Sequence, residues 1–178
     1  QYNKAVDVEN QTNIDIDHNE MYDVLTNNSY VLQLLHCYGT VSVRGNRILT
    51  TNGAGAIGVS DMHGTQSNHA IVANNMIVCN DAAGNHTLTS PLNVIKAEWT
   101  DVVYNSVKLT APSRTNVPAA TFGGASIENC RFLNNVLACM DNRNYAFNYM
   151  PGNQTNNTVG YNVYYSMEAV STDATWNQ

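Results

Sequence analysis

The feature that most constrains this chain is a short template: an apolar residue, two spacers, an asparagine, one spacer and a second apolar residue. It is clearest in Val43-Arg-Gly-Asn46-Arg-Ile48. It recurs in Ile16-Asp-His-Asn19-Glu-Met21, Val72-Ala-Asn-Asn75-Met-Ile77, Val102-Val-Tyr-Asn105-Ser-Val107 and Val159-Gly-Tyr-Asn162-Val-Tyr164. A looser copy, Ile127-Glu-Asn-Cys130-Arg-Phe132, falls between the last two. The fourth positions are then separated by 27, 29, 30, 25 and 32 residues. Repetition at this period is the mark of a stacked architecture, in which each unit buries its apolar face only against its neighbours.

Each unit divides into short strands separated by bends. In the second, Tyr30–Cys37 is apolar and strand-like, Tyr38-Gly39 interrupts it, Thr40–Val43 alternates, Asn46 bends the chain and Arg47–Thr51 forms a third strand. The first unit reads the same way from Ala5 to Leu25, the third from Ala56 to Cys79 and the fourth from Leu92 to Leu109. The fifth runs through Ala119–Phe122, Ala125–Ile127, Cys130 and Phe132. The sixth begins at Val136–Met140 and contains a long loop from Asp141 to Asn156. No stretch places Leu, Ala, Glu and Lys on one helical face. The 27 asparagines suit a chain of many bends, because Asn tolerates left-handed backbone and bonds its own main chain. The expected fold is all-β: about six coils of three short strands, each strand pairing in parallel with its counterpart one coil on, over roughly 29 Å.

In this pattern the chain resembles the right-handed parallel β-helix proteins of the pectate-lyase-like superfamily, from about Ala5 to Ser166. The series Asn19, Asn46, Asn75, Asn105 and Asn162 is similar to that family's asparagine ladder. A leucine-rich repeat fits Val41 to Ile48 but fails elsewhere. Where that family wants a leucine three residues before the core, this chain has Tyr38, Gln11, Ser67, Ala97 and Gln154, and its longest step exceeds that family's ~20–29 residues. The resemblance implies an extracellular or cell-surface protein that binds an acidic polysaccharide, and that would cleave it by lyase-type β-elimination if it is an enzyme. The alternative is a non-catalytic structural or adhesive segment of a larger surface protein or fibre.

Charge and length exclude some partners. Only 12% of residues are charged and the net charge is −6, with eight Lys and Arg scattered singly. Nucleic acid and anionic membrane both need clustered basic residues. No apolar run approaches the ~20 residues of a membrane span. The chain starts at Gln1 without a signal-peptide pattern, and this suggests a processed or excised segment. Bare coil ends invite edge pairing. Gln1–Lys4 is too short to cap one end, and only Met167–Gln178 could partly cap the other. End-to-end self-association or flanking domains would solve the same problem. Cys37, Cys79, Cys130 and Cys139 match no metal or redox spacing and read as free thiols, with Cys37, Cys79 and Cys139 buried in apolar stretches.

The family's substrate lies along the first sheet and the loops that follow it. Outward candidates there are Asp7, Glu9, Gln33, Ser60 and Asn93, with Asp61, His63, Lys96, Glu98, Asp101, Asp141 and Arg143 nearby. No cofactor is demanded. Asp7 and Glu9 alternate on one strand and could hold Ca²⁺, or could simply face solvent, as Asp15 and Asp17 do on the next strand. Asp61-Met-His63 pairs a carboxylate with an imidazole, a base or a metal ligand if not an ordinary loop pair. The resemblance implies that Lys96 and Arg143 would neutralise a uronate and take its proton, with Asp61, His63 and Glu98 as further substrate contacts. Tyr145, Phe147 and Tyr149 in the long loop could stack on sugar rings, Tyr145 and Tyr149 foremost, or fold back over the end of the rod. The glycoside-hydrolase members work with paired Asp residues, and no Asp-Asp pair occurs here. Five glycosylation sequons are no more than this many Asn, Ser and Thr would give by chance.

Overall fold

The computed structural model describes residues 6–22, 30–51, 55–81, 90–124, 126–150 and 153–167, and every regular element among them is a β-strand. The first turn holds β1 (Val6–Glu9), β2 (Thr12–Asp17) and β3 (Glu20–Tyr22). The second has one long strand, β4 (Tyr30–Arg44), followed by β5 (Arg47–Thr50). The third has β6 (Gly55–His63), β7 (Ala70–Ala73) and β8 (Met76–Asn80), and the fourth β9 (Leu92–Glu98), β10 (Thr100–Val103) and β11 (Ser106–Thr110). The fifth has β12 (Pro118–Gly123), β13 (Ser126–Glu128), β14 (Arg131–Leu133) and β15 (Val136–Cys139). The last has β16 (Tyr145–Met150), β17 (Asn153–Thr155), β18 (Thr158–Gly160) and β19 (Val163–Ser166).

All these strands pair in parallel with strands of adjacent turns. One sheet of six strands, β3-β5-β8-β11-β15-β19, crosses every rung, so about five turns separate its first strand from its last. The chain is therefore a parallel β-solenoid, as the template predicts. The leucine-rich alternative is excluded for the described residues, which contain no helix.

Asparagine sets the register. Oδ1 of Asn46 accepts the main-chain N–H and the Nδ2–H of Asn19, both at 3.0 Å, while its own Nδ2 donates to the Ile16 carbonyl and to Oδ1 of Asn75. The same four bonds recur from Asn75 to Asn105 and from Asn105 to Asn135. A corner in the backbone leaves an N–H and a carbonyl without strand partners, and a carboxamide can satisfy both. The residue before each rung turns the corner in the left-handed region: His18, Gly45, Asn74, Tyr104, Asn134 and Tyr161 have φ between 52 and 62°.

The fifth rung differs from the sequence expectation. It is Asn135, in Phe132-Leu-Asn-Asn135-Val-Leu137, and not Cys130. The ladder steps become 27, 29, 30, 30 and 27 residues. Cys130 lies at the preceding corner, where its N–H donates to Oδ1 of Asn157. Val136–Met140 accordingly closes the fifth turn and does not begin a sixth, since β15 pairs with β11. The described residues of the Asp141–Asn156 stretch form strands β16 and β17 and not a protruding loop. The alternation Tyr145-Ala-Phe147-Asn-Tyr149 forms β16, paired along β12.

Inward side chains fill the interior in columns. Leu32, Ile57, Leu92, Ala120 and Phe147 follow one another up the first sheet. Phe147 stacks on Phe132 at 4.9 Å and Tyr164 at 5.6 Å, and Phe132 packs on Phe122 at 5.2 Å. Each such aromatic contributes roughly 1.5–3 kcal/mol by leaving water. The four cysteines are buried free thiols. Burial pushes the Cys79 thiol up to about 12 and those of Cys130 and Cys139 to about 11, so none is a nucleophile near neutral pH. Ala5, Val24 and Leu25, the turn through Asn52 and Gly53, the sequons at Asn27 and Asn85, and the stretches Gln1–Lys4 and 168–178 lie outside the described residues.

Candidate functional site

Two outward features lie on the first sheet. The register places Asp7, Gln33, Gly58, Asn93, Thr121 and Asn148 in one outward column. The column is polar because strands alternate, and its inward neighbours are the apolar residues of the core. Gly58 leaves room for an aromatic ring. A Cβ there would stand 2.2 Å from the Tyr30 ring, which lies across the glycine and lets the Tyr30 hydroxyl accept from the Asn93 carboxamide. Beyond it an open cleft of about 320 Å³ lies over β9, β12 and β16. Ser90, Asn93, Asn116, Thr121, Tyr145 and Asn148 line it, and no lining residue is charged. Ser90 and Thr121 share a hydrogen bond, and Tyr145 donates to the Asn116 carbonyl at 3.2 Å.

The second feature sits at the far end of the same strands. His36, Asp61 and Lys96 occupy equivalent positions in successive turns, and each is left-handed, with φ of 51, 62 and 56°. Such a conformation is uncommon for Lys and marks a bend held by its surroundings. Asp61 is the hub. Its Oδ1 accepts from Lys96 Nζ and from His63 Nε2, each at 2.8 Å, and His36 Nε2 lies 3.4 Å from Oδ2. His63 Nδ1 reaches Glu98 at 3.0 Å, and the Tyr38 ring stacks on the imidazole at 5.2 Å.

The charges within the cluster support one another. Burial opposes ionisation of Asp61, yet hydrogen bonds from Lys96 and His63 outweigh it and hold the carboxyl below the usual range. Burial likewise opposes the His63 cation. The bonds to Glu98 and Asp61 outweigh it and raise the imidazole above its ordinary value. The arrangement is a chain of polar contacts running Lys96–Asp61–His63–Glu98.

Asp61, His63, Lys96 and Glu98 are thus brought together. Arg143 is not among them. It precedes β16 at the opposite end of the sheet, two turns on, with its carbonyl bound by Asn116. Tyr145 borders the cleft, whereas Tyr149 packs inward, stacked on Phe122 at 6.3 Å. Asp7 and Glu9 face outward and exposed on β1, and among the described residues no group of three or more His, Cys, Asp or Glu could hold a metal ion.

The sequence did not single out His36 or Tyr38 as part of this cluster. Nor did it reveal the partners of Asp101, which accepts from Arg131 Nε at 2.6 Å and from His69 Nδ1 at 2.9 Å. Arg131 stands one turn above Asp101 in register, so a correct coil alignment is the signal that finds it. Asp81 and Arg114 pair at 3.1 Å in the same way across one turn. Comparisons with protein-family profiles, curated proteins and solved structures found no match to this chain.

Proposed function

We propose that this solenoid is a glycan-binding module of an extracellular or cell-surface protein, one that binds a polysaccharide without cleaving it. The observation that carries the reading is the uncharged cleft over β9, β12 and β16. Its volume is within the usual range of small-ligand sites. Carboxamides and hydroxyls at Asn93, Thr121 and Asn148 repeat at about 4.8 Å, one per rung, and both donate and accept as sugar hydroxyls require. Tyr145 offers a ring to the apolar face of a sugar.

The absence of any cation in the lining favours a neutral glycan over an acidic one. Cleavage is not favoured. Lys96 is engaged by Asp61 and stands apart from Arg143, so the two do not offer a uronate one cation and one base. The reading as a structural segment is supported by the chain of ion pairs from Lys96 through Asp61 and His63 to Glu98, whose polar groups are spent on one another.

Calorimetric titration against neutral and uronate oligosaccharides tests the proposal, with ultraviolet detection of unsaturated uronate as the lyase control. A neutral oligosaccharide is expected to bind, and Asn93→Ala and Tyr145→Ala each to weaken it at least tenfold. Silence across both panels favours the structural reading. Unsaturated products would restore the lyase.

A further inference from the structure

The outward face of the six-stranded sheet changes character along the rod. On β3 and β5 it carries Glu20, Tyr22 and Arg47, which engage one another. The Tyr22 hydroxyl donates to Glu20 at 2.7 Å, and the Arg47 guanidinium lies 3.9 Å from Glu20 and 5.9 Å from the centre of the Tyr22 ring. From β8 to β19 the face becomes apolar. The register sets Met76, Ser106, Val136 and Val163 in one outward column. Val78, Lys108, Ala138 and Tyr165 form the next, and Lys108 is the only charged residue in the two. Tyr104 and Tyr161 stand at the corner beside them.

This face leaves much apolar surface in water. Met76, Tyr104, Val136, Tyr161, Val163 and Tyr165 are each at least 45% exposed, Tyr161 by 85%. At about 150–250 Å² for a whole tyrosine and less for Met or Val, these six expose roughly 600 Å². That matches the upper range, about 600 Å², of the largest patch on an ordinary monomer. Covered on two molecules at once it is about 1,200 Å², the size at which specific interfaces begin.

The face also has the shape of its own mate. Ser106 is small between Met76 and Val136, and the groove there, of about 190 Å³, has no polar side chain in its lining except Ser106 and Lys108. Along β11 the outward order is small then large, Ser106 then Lys108. Along β15 it is large then small, Val136 then Ala138. A two-fold axis lying between these strands, parallel to them, sets β11 on the partner's β15 and matches large with small in both columns.

We infer that two copies pack these faces together as an isologous dimer. Val136 of each copy enters the groove at the partner's Ser106. The Lys108 methylenes lie over the partner's Ala138 and carry the ammonium to the rim. β8 comes over the partner's β19, so Val78 meets the partner's Tyr165. Glu20 and Arg47 stay at the margin. The cleft over β9, β12 and β16 is on the other sheet and stays open in both copies. An isologous contact closes at two.

Sedimentation equilibrium of the 178-residue chain over a wide concentration range tests this. A monomer–dimer equilibrium with nothing larger is expected. Ser106→Lys fills the groove, and Val136→Glu puts a carboxylate into it. Each is expected to weaken dimerisation at least about tenfold, because a charge is then buried without a partner. Circular dichroism should not change, since both positions face outward. In an equal mixture of the two variants, the introduced lysine of one meets the introduced carboxylate of the other, and the second contact is the parent's own. The mixture is therefore expected to dimerise more tightly than either variant alone. A chain that is monomeric at every concentration overturns the inference, whatever else covers the face. Growth beyond the dimer overturns the two-fold, as does undiminished dimerisation of both variants or a mixture no tighter than its components.

Discussion

The Nδ2 of Asn75 donates to Oδ1 of Asn105 at 2.9 Å, and the same oxygen accepts the Asn75 main-chain N–H at 3.1 Å. Both residues are buried, so water cannot replace these bonds. Asn105→Ala strands that N–H and the Val72 carbonyl, each at about 1–3 kcal/mol. A loss of about 3 kcal/mol is expected by urea unfolding. Asn162→Ala, at the half-exposed last rung, is expected to cost under about 1 kcal/mol, since water can replace its bonds. Equal costs would mean that the rungs do not differ in burial.

Gly123 and Gly160 make a second pair. Gly123 has φ of 135°, and a Cβ on it would lie 2.3 Å from the Met150 carbonyl oxygen. At Gly160 the nearest atom, in Leu133, would be 3.9 Å away, and its φ is not positive. Gly123→Ala is expected to lose more than about 2 kcal/mol, and Gly160→Ala to fall within about 0.5 kcal/mol of the parent. Thermal unfolding of the two variants checks the contrast.

The ion cluster predicts opposite pH dependences for two substitutions. Asp61 has its folded pKa depressed below 3.8, so its contribution is present above that value and lost as pH falls through the folded value. The stability advantage of the parent over Asp61→Asn should therefore shrink in acid. His63 has its folded pKa raised above 6.5, so its contribution is complete below that value and lost as pH rises through the folded one. The advantage over His63→Gln should shrink in base. Unfolding free energies from pH 3 to 9 would show both trends, and a flat difference for either variant would remove that residue from the network.

Phe147 and Tyr145 are two residues apart and are expected to behave differently. Phe147→Ala opens a cavity among Phe132, Tyr149 and Tyr164 and is expected to cost roughly 3–5 kcal/mol. Tyr145→Ala borders the cleft and should cost far less in stability, with its effect on oligosaccharide affinity. Chemical unfolding of both variants beside their binding isotherms separates the two roles.

These cases show what could be read from the residues. The ladder was legible because a corner needs the same carboxamide in every turn, which fixes its spacing. Cys130 and Asn135 both fit the template, with Ile127 and Phe132 three residues before them and Phe132 and Leu137 two after, and a single sequence offers no pairing to choose between them. The Asn and Gly around Tyr145 to Tyr149 suggest a loop, but its own alternation is that of a strand. Asp61 and His63 were visible as neighbours two apart. Their links to Lys96 and Glu98 span 35 residues and exist only because one turn lies on the next. His36 and Tyr38 entered the cluster for the same reason and left no local trace.

The most direct test of the coil is nuclear magnetic resonance on chain labelled with ¹³C and ¹⁵N at asparagine. Scalar couplings across hydrogen bonds should connect the main-chain nitrogen of Asn46 to the side-chain carboxamide carbon of Asn75, and that of Asn75 to the carbon of Asn105, residues 29 and 30 apart. Couplings at these positions, with slow exchange of the same amides, are the expected result. Their absence, with those amides exchanging as freely as exposed ones, would contradict the stacked ladder and the site built on it.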